Sequence, residues 1–167
     1  MLHNDYEGQL CSIARSLELI GERWSLLVIR EVFFGRRKFT EMQASLGVAR
    51  NVLASRLERL VDSGILERRL YSERPERYEY FLTEKGLDLW PTIVSLMHWG
   101  DKHLPLPEGA PVVIVHKGEC GGPIDDRRIC TRCGKQLTVR EAKATRGPGL
   151  ADAPPARRVS EGTLTAS

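Results

Sequence analysis

Three stretches of the sequence predict a mainly α-helical fold with a small β-hairpin wing, a winged helix-turn-helix, carrying a small zinc-ribbon-like appendage at its C-terminal end. Residues 40–64, TEMQASLGVARNVLASRLERLVDSG, read as two short helices joined by a tight turn. Residues 65–82 switch to extended, alternating patterning interrupted at Arg74-Pro75-Glu76, the signature of a hairpin. His116, Cys120, Cys130 and Cys133 then stand at spacings suited to a bound metal.

Composition bounds the problem. A chain of 167 residues, 41% hydrophobic and 28% charged, has globular composition and room for one core plus appendages. The net charge of +3 says little about partners, but its distribution says more. Between Arg36 and Leu60 six cations (Arg36, Arg37, Lys38, Arg50, Arg56, Arg59) face two acids (Glu41, Glu58), a basic cluster on an element the width of a DNA groove. No apolar run approaches the roughly 18–20 residues that span a bilayer, and MLHNDYEGQL lacks the pattern of a signal peptide, so a cytoplasmic protein without membrane contact is expected. Paired carboxylates, a Ser-His-Asp set and a phosphate-cradling glycine loop are all absent from the reading, which argues against an enzyme.

Residues 1–10 form a polar N-terminal arm in which Tyr6 packs on a neighbour. A helix follows from Cys11, with Ile13, Leu17 and Ile20 on one face and Gly21 as its breaker. GERWSLLVIREVFFG is a second helix: Trp24, Leu27, Val28 and Val32 recur at helical spacing, Trp24 is expected as a core anchor, and Gly35 ends it. Arg36-Arg37-Lys38 is a turn of three cations placed to meet a phosphate backbone. Thr40 and Gln43 have capping-box spacing for the next helix, and Gly47 supplies a left-handed turn residue.

The second helix of the pair carries most of the argument. Leu53, Leu57, Leu60 and Val61 make one apolar stripe, and Asn51, Ser55, Glu58, Arg59 and Asp62 lie opposite. The N-terminal residues of such a helix are the ones that reach base edges in a major groove about 12 Å wide. Asn51 and Ser55 are therefore candidates for base reading, Arg50 and Arg59 for bases or phosphates, and Arg56, nearer the apolar stripe, for a weaker contact. No Ser, Thr, Asp or Asn stands at the capping position before Arg50, so the first-turn amides are open to a phosphate. In the hairpin, Arg74 and Arg77 are the candidates to touch a minor groove or a phosphate.

Thr83 caps a long helix running to Leu104 with Leu87, Trp90, Val94, Met97 and Trp99 on its apolar face, a surface expected to meet a second copy of the chain. Residues 105–111 read as a linker, residues 112–145 as the Cys/His module opening with the strand VVIVH, and residues 146–167 as a disordered tail. In the module, Cys-x2-Cys-Gly is a chelating turn; with Cys120 and His116 it completes a Cys3His set for a structural Zn2+, and Asp125, Asp126 or water are the alternatives to His116. Cys11 has two readings: a reactive thiol at a helix N-terminus, or a small packing residue.

The stretches Cys11-Ser12-Ile13-Ala14 with LELIGERWSLLVIREVFFGRRKFTEM, GVARNVLASRLERLVDSGIL, and RYEYFLTEKG followed by LMHWGDKH resemble the HxlR family of bacterial winged helix-turn-helix transcription regulators, over about residues 11–104. The resemblance implies a homodimeric, sequence-specific DNA-binding regulator joined through its N-terminal helices and residues 83–104. Members of the family are often repressors near their own genes, and some respond to oxidants or electrophiles through a cysteine near the N-terminus, the position at which Cys11 stands. A winged helix that contacts another protein instead of DNA is the alternative, and Glu58 and Asp62 on the open face speak for it.

Overall fold

The structure, a computed structural model, describes residues 11–150. The described chain forms two compact units, one of residues 11–32 and 37–86, the other of residues 33–36 and 87–150. The arm expected at 1–10, Tyr6 included, and residues 151–167 lie outside the described residues.

The first unit holds α1 (Ser12–Ile20), α2 (Ser25–Phe33, whose last residue belongs to the other unit), α3 (Phe39–Leu46), α4 (Arg50–Asp62), β1 (Leu66–Glu73) and β2 (Glu76–Leu82). Of the stripes read in the sequence, Val28 and Val32 of α2 and Leu53, Leu57 and Leu60 of α4 are buried, whereas Leu27 and Val61 are half-buried; Ile29, Met42 of α3, and Ile65 and Leu66 at the start of the wing complete the core. Each of the three α4 leucines contributes about 1.5–3 kcal/mol by leaving water. Gly47 takes the left-handed conformation at φ 62° and turns the chain from α3 into α4. Two expectations change. Trp24 lies before α2 rather than in it and is only half-buried, with the Arg23 guanidinium 5.8 Å from its ring centroid. Ile13 and Leu17 of α1 are exposed, and Ala14 and Ile20 supply the buried face of that helix.

The helix-turn-helix begins two residues earlier than its capping pattern suggested. Lys38 holds the N-cap position of α3, and the Glu41 carboxylate accepts the Lys38 N–H at 3.2 Å and the Arg37 N–H at 3.3 Å. Thr40 is thereby displaced into the first turn, where it is exposed. Glu41 can act this way because a carboxylate accepts two amides where the helix dipole is positive.

β1 and β2 pair antiparallel from Leu66↔Leu82 to Glu73↔Glu76, with a register shift between Leu70 and Ser72, and Arg74-Pro75 forms the two-residue tip. The segment before α3 joins this hairpin: Lys38 bridges to Glu79, and the Tyr80 N–H donates to the Arg37 carbonyl at 2.9 Å. Arg37 and Lys38, two of the three residues read as a cationic turn, are thus also an edge of the wing. Thr83 behaves as expected, its hydroxyl oxygen accepting the Gly86 N–H at 3.1 Å and its O–H reaching the Gly64 carbonyl at 2.6 Å. Gly86 has a firmer role than a tolerated glycine: a Cβ there would lie 2.3 Å from the Ile65 carbonyl oxygen and 2.8 Å from Leu82 Cδ2.

The long helix expected from Thr83 to Leu104 is two helices, α5 (Glu84–Leu87) and α6 (Trp90–His103). The reason is Pro91, which lacks an N–H and would clash with the carbonyl four residues before it, so it is accommodated only in the first turn of a new helix. In the second unit α6 buries Trp90, Ile93 and Val94, and Trp90 stacks on Phe33 with ring centroids 5.5 Å apart. Leu96 and Trp99 point outward, 50% and 56% exposed.

The same unit contains β3 (Val112–His116) and β4 (Ala142–Arg146), antiparallel from Val112↔Arg146 to His116↔Ala142. Ile114, Ile124, Leu137 and Ala142 are its buried apolar residues in this region. The order extends past residue 145, where the tail was expected to start: Arg146 ends β4, and Pro148–Leu150 make a turn of 3-10 helix. The end of the expected linker is engaged as well, because the Ala110 and Pro111 carbonyls accept the Gly149 and Gly147 N–H groups at 3.1 and 3.0 Å. Among the described residues no helix is long and apolar enough to cross a membrane.

Candidate functional site

α4 presents two different sets of polar side chains. Arg50, Asn51, Ser55, Glu58 and Asp62 are exposed on the face away from the leucines. Ala49 is the N-cap residue in extended conformation, and no side chain caps the first turn, so the amides at the helix start keep their donor capacity and the positive end of the dipole. Arg50 lies at that end with its guanidinium 5.1 Å from the Phe39 ring centroid, a contact that orients the charge without neutralising it.

Arg56 and Arg59 are placed otherwise. Both form ion pairs with Glu22, and Arg59 also donates to the Glu18 carbonyl at 3.3 Å. Only 20% of the Arg56 side chain is exposed, against 51% of Arg59. These two arginines tie α4 to the end of α1 and the loop after it, a role their spacing along α4 did not reveal because Glu22 is remote in sequence.

Around the wing, cations and rings interleave. Arg37 and Arg69 both lie over Phe81, 4.4 and 4.2 Å from its centroid, and Arg68 lies over Tyr78 at 4.8 Å. Lys38 stands 3.8 Å from Glu79 and 5.1 Å from the Tyr71 ring. Arg36, Arg37 and Lys38 are half-buried, whereas Arg74 and Arg77 at the tip are exposed. The tip is braced by Ser72, whose hydroxyl donates to the Pro75 carbonyl at 3.1 Å, and by Tyr78, whose phenol donates to Glu76 at 2.9 Å. That hydrogen bond raises the Tyr78 pKa and keeps the phenol protonated. Arg68 and Arg69 were not singled out from the sequence; their signal was the alternation along β1 opposite Tyr80 and Glu79.

Cys11 is exposed at the N-cap of α1, and the backbone N–H groups of Ala14 and Ile13 lower its thiol pKa.

The other candidate site is in the second unit. The ligand atoms of His116, Cys120, Cys130 and Cys133 all lie within 4.8 Å of one another and can hold a metal ion. Cys120 Sγ is 3.6 Å from Cys130 Sγ, and Cys133 Sγ is 3.4 Å from His116 Nδ1. His116 comes from the end of β3, Cys120 from the turn after it, and Cys130 and Cys133 from a second turn closed by the Gly134 N–H on the Cys130 carbonyl at 2.8 Å. Gly121 and Gly134, each following a cysteine, take φ values of 56° and 73°. Gly122 was overlooked from sequence; a Cβ there would meet Cys130 Sγ at 2.7 Å and Arg132 Cβ at 2.6 Å. Asp125 is spent elsewhere, its Oδ1 accepting the Arg127 and Ile129 N–H groups at 3.0 and 2.7 Å.

Comparison with known proteins adds to this geometry. The curated HTH-type transcriptional regulator Rv3095 of Mycobacterium tuberculosis is 49% identical over 149 residues, 89% of this chain and 92% of that protein, a span that takes in both the helix-turn-helix and the His/Cys cluster. The HTH-type regulator sll1512 of Synechocystis is 35% identical over 98 residues, 58% of this chain and 73% of its own. Among solved structures, PA1607, a proposed transcription factor, superposes with a TM-score of 0.63 at 33% identity, over 84% of this chain and 97% of that one. The redox regulator HypR in its oxidised form matches 56% of this chain and 97% of its own, with 28% identity and a TM-score of 0.52. The HxlR-like helix-turn-helix family matches residues 19–108, the stretch that holds the uncapped α4 and the wing, and the chain belongs to that family of DNA-binding transcription regulators.

Proposed function

We propose that the chain is a sequence-specific regulator, a repressor acting as a homodimer in the cytoplasm, with α4 as its reading head. The observation that carries this is the open first half of α4: Arg50, Asn51 and Ser55 are exposed beside uncapped amides, while Arg56 and Arg59 are held on Glu22. An amide side chain and a guanidinium can each make bidentate bonds to a base edge in a major groove. Thr40, Arg36, Arg37 and Lys38 are read as phosphate contacts, and the exposed Arg74 and Arg77 as contacts to the backbone or minor groove beyond. The chain is read as non-catalytic, with Zn2+ in the His/Cys cluster. Cys11 is the candidate for redox sensing, supported by its exposure and lowered pKa and by the likeness to HypR.

The test is selection of a binding sequence from random duplexes, followed by footprinting of variants. Arg50→Ala with Asn51→Ala should cost roughly 10- to 100-fold for the selected sequence, since a bidentate pair discriminates by about 1–3 kcal/mol. Arg74→Ala should weaken binding to all sequences alike. If no sequence is selected although the protein dimerises, α4 faces a protein partner instead, and Glu58 and Asp62 become its contact residues.

A further inference from the structure

The region from 112 to 150 has two sheet strands, two 3-10 turns and a large share of loop, yet its buried apolar side chains are Ile114, Ile124, Leu137 and Ala142 together with Cys130. So little apolar surface does not offset the chain entropy of ordering a module of this size; folds this small depend on a staple. The described residues contain no disulfide, and all three cysteines of the region are free.

The cluster has the dimensions of such a staple. On one Zn2+, with Zn–S near 2.3 Å and Zn–N near 2.0–2.1 Å, tetrahedral geometry sets two thiolates roughly 3.8 Å apart and a thiolate and an imidazole nitrogen roughly 3.5 Å apart. Two of the separations here are 3.6 Å for Cys120–Cys130 and 3.4 Å for Cys133–His116, and all four ligand atoms lie within 4.8 Å of one another, close enough for one ion to draw them together. Three soft thiolates and an imidazole in a tetrahedron select zinc over the hard cations. The loops around the cluster are shaped to the sulfurs: the Gly122 N–H faces Cys120, and the Arg132 and Cys133 N–H groups face Cys130, so each turn offers amides to its own thiolate. Four protein ligands leave no position for water or substrate.

Resting on the reading of the cluster as a zinc site, we propose that a closed Zn2+ centre of His116, Cys120, Cys130 and Cys133 is what folds residues 112–150, which are unfolded when the metal is removed. The four ligands arrive from the end of β3 and from two turns, joined apart from the β3–β4 pairing by isolated bridges such as Val115–Pro123 and Ile124–Cys130, and Gly122 leaves the space in which Cys130 Sγ approaches the first turn. Binding energy at such a centre is folding energy, because no preformed site exists in the unfolded chain.

The experiment uses the full chain purified reduced, with metal analysis and hydrogen exchange read peptide by peptide, before and after a strong chelator and after zinc is restored. The expected result is one Zn2+ per chain, loss of protection over residues 112–150 on chelation, recovery on adding Zn2+, and retained protection in α4. His116→Ala should lose the metal and that protection, whereas His116→Cys, which keeps four soft ligands, should retain both. Bound Zn2+ with protection over 112–150 unchanged by chelation would overturn the folding role and leave the zinc site standing. Purified protein carrying iron, or no metal and a Cys120–Cys130 disulfide, would overturn the zinc site itself.

Discussion

Arg50 and Arg56 stand on the same helix, six residues apart, and the structure divides their tasks. Arg50 is exposed over Phe39, while Arg56 is largely buried and paired with Glu22, which it shares with Arg59. Truncating Arg56 leaves the partly exposed Glu22 carboxylate with Arg59 as its ion-pair partner. Arg56→Ala should therefore lower folding stability by about 1 kcal/mol, read as a shifted urea midpoint, with the selected DNA sequence unchanged. A changed sequence preference in that variant would return Arg56 to the reading head. Cys11 is governed by amides rather than by a neighbouring charge. Since its pKa is lowered, the thiolate fraction at neutral pH is raised, and the rate of alkylation should reach half its plateau at a pH below that of an ordinary cysteine. Iodoacetamide labelling of Cys11 as a function of pH checks this, with a midpoint at or above the ordinary thiol value as the contrary result.

At the scale of the elements, the junction between wing and α5 depends on close approach of backbones. Gly86 → Ala would press a methyl carbon onto the Ile65 carbonyl, a backbone atom with little freedom to retreat. A loss of about 1–3 kcal/mol is expected, the range for overpacking, against the usual gain from replacing a helical glycine. Chemical denaturation of Gly86→Ala measures it, and a stabilised variant would mean that α5 moves freely on the hairpin. The capping of α3 shows how near the sequence reading came. Glu41 was correctly placed in the first turn of the helix, but the helix starts at Phe39, and Lys38 caps it through its backbone, donating its N–H to Glu41 and accepting the Met42 N–H. The break between α5 and α6 was legible in Pro91 and was missed because the apolar spacing of Leu87, Trp90 and Val94 continues smoothly across it.

For the whole molecule, the outstanding surface is the apolar one that each unit leaves in solvent. In the second unit Leu96 and Trp99 of α6 are exposed, with the Trp99 and His103 rings tilted at 5.1 Å; in the first unit Ile13 and Leu17 of α1 are exposed, and each pair is a candidate for cover by a second copy. Leu96→Glu with Trp99→Glu should convert dimers to monomers in sedimentation equilibrium, and DNA affinity should fall because two half-sites are no longer bound together. Unaltered dimers in that variant would move the interface off α6.

Which parts of this protein belonged to its sequence alone follows from the range of the forces involved. The α4 stripe, the left-handed Gly47, the hairpin tip at Arg74-Pro75 and the Thr83 cap were all readable, because helical period, turn conformation and capping are decided within a few residues. The membership of the His/Cys cluster that could hold a metal was readable too, since Cys-x2-Cys-Gly is itself a local turn. Only the tertiary structure decided which cations are available and which are held. Glu22 claims Arg56 and Arg59, and Arg37 and Arg69 both lie over Phe81, through contacts between residues 12 to 44 positions apart. It alone brought His116 and Cys120 onto Cys130 and Cys133, and alone showed that Gly86 and Gly122 are glycines for want of space. Contacts of that kind are fixed by packing and chain closure, which no local pattern encodes.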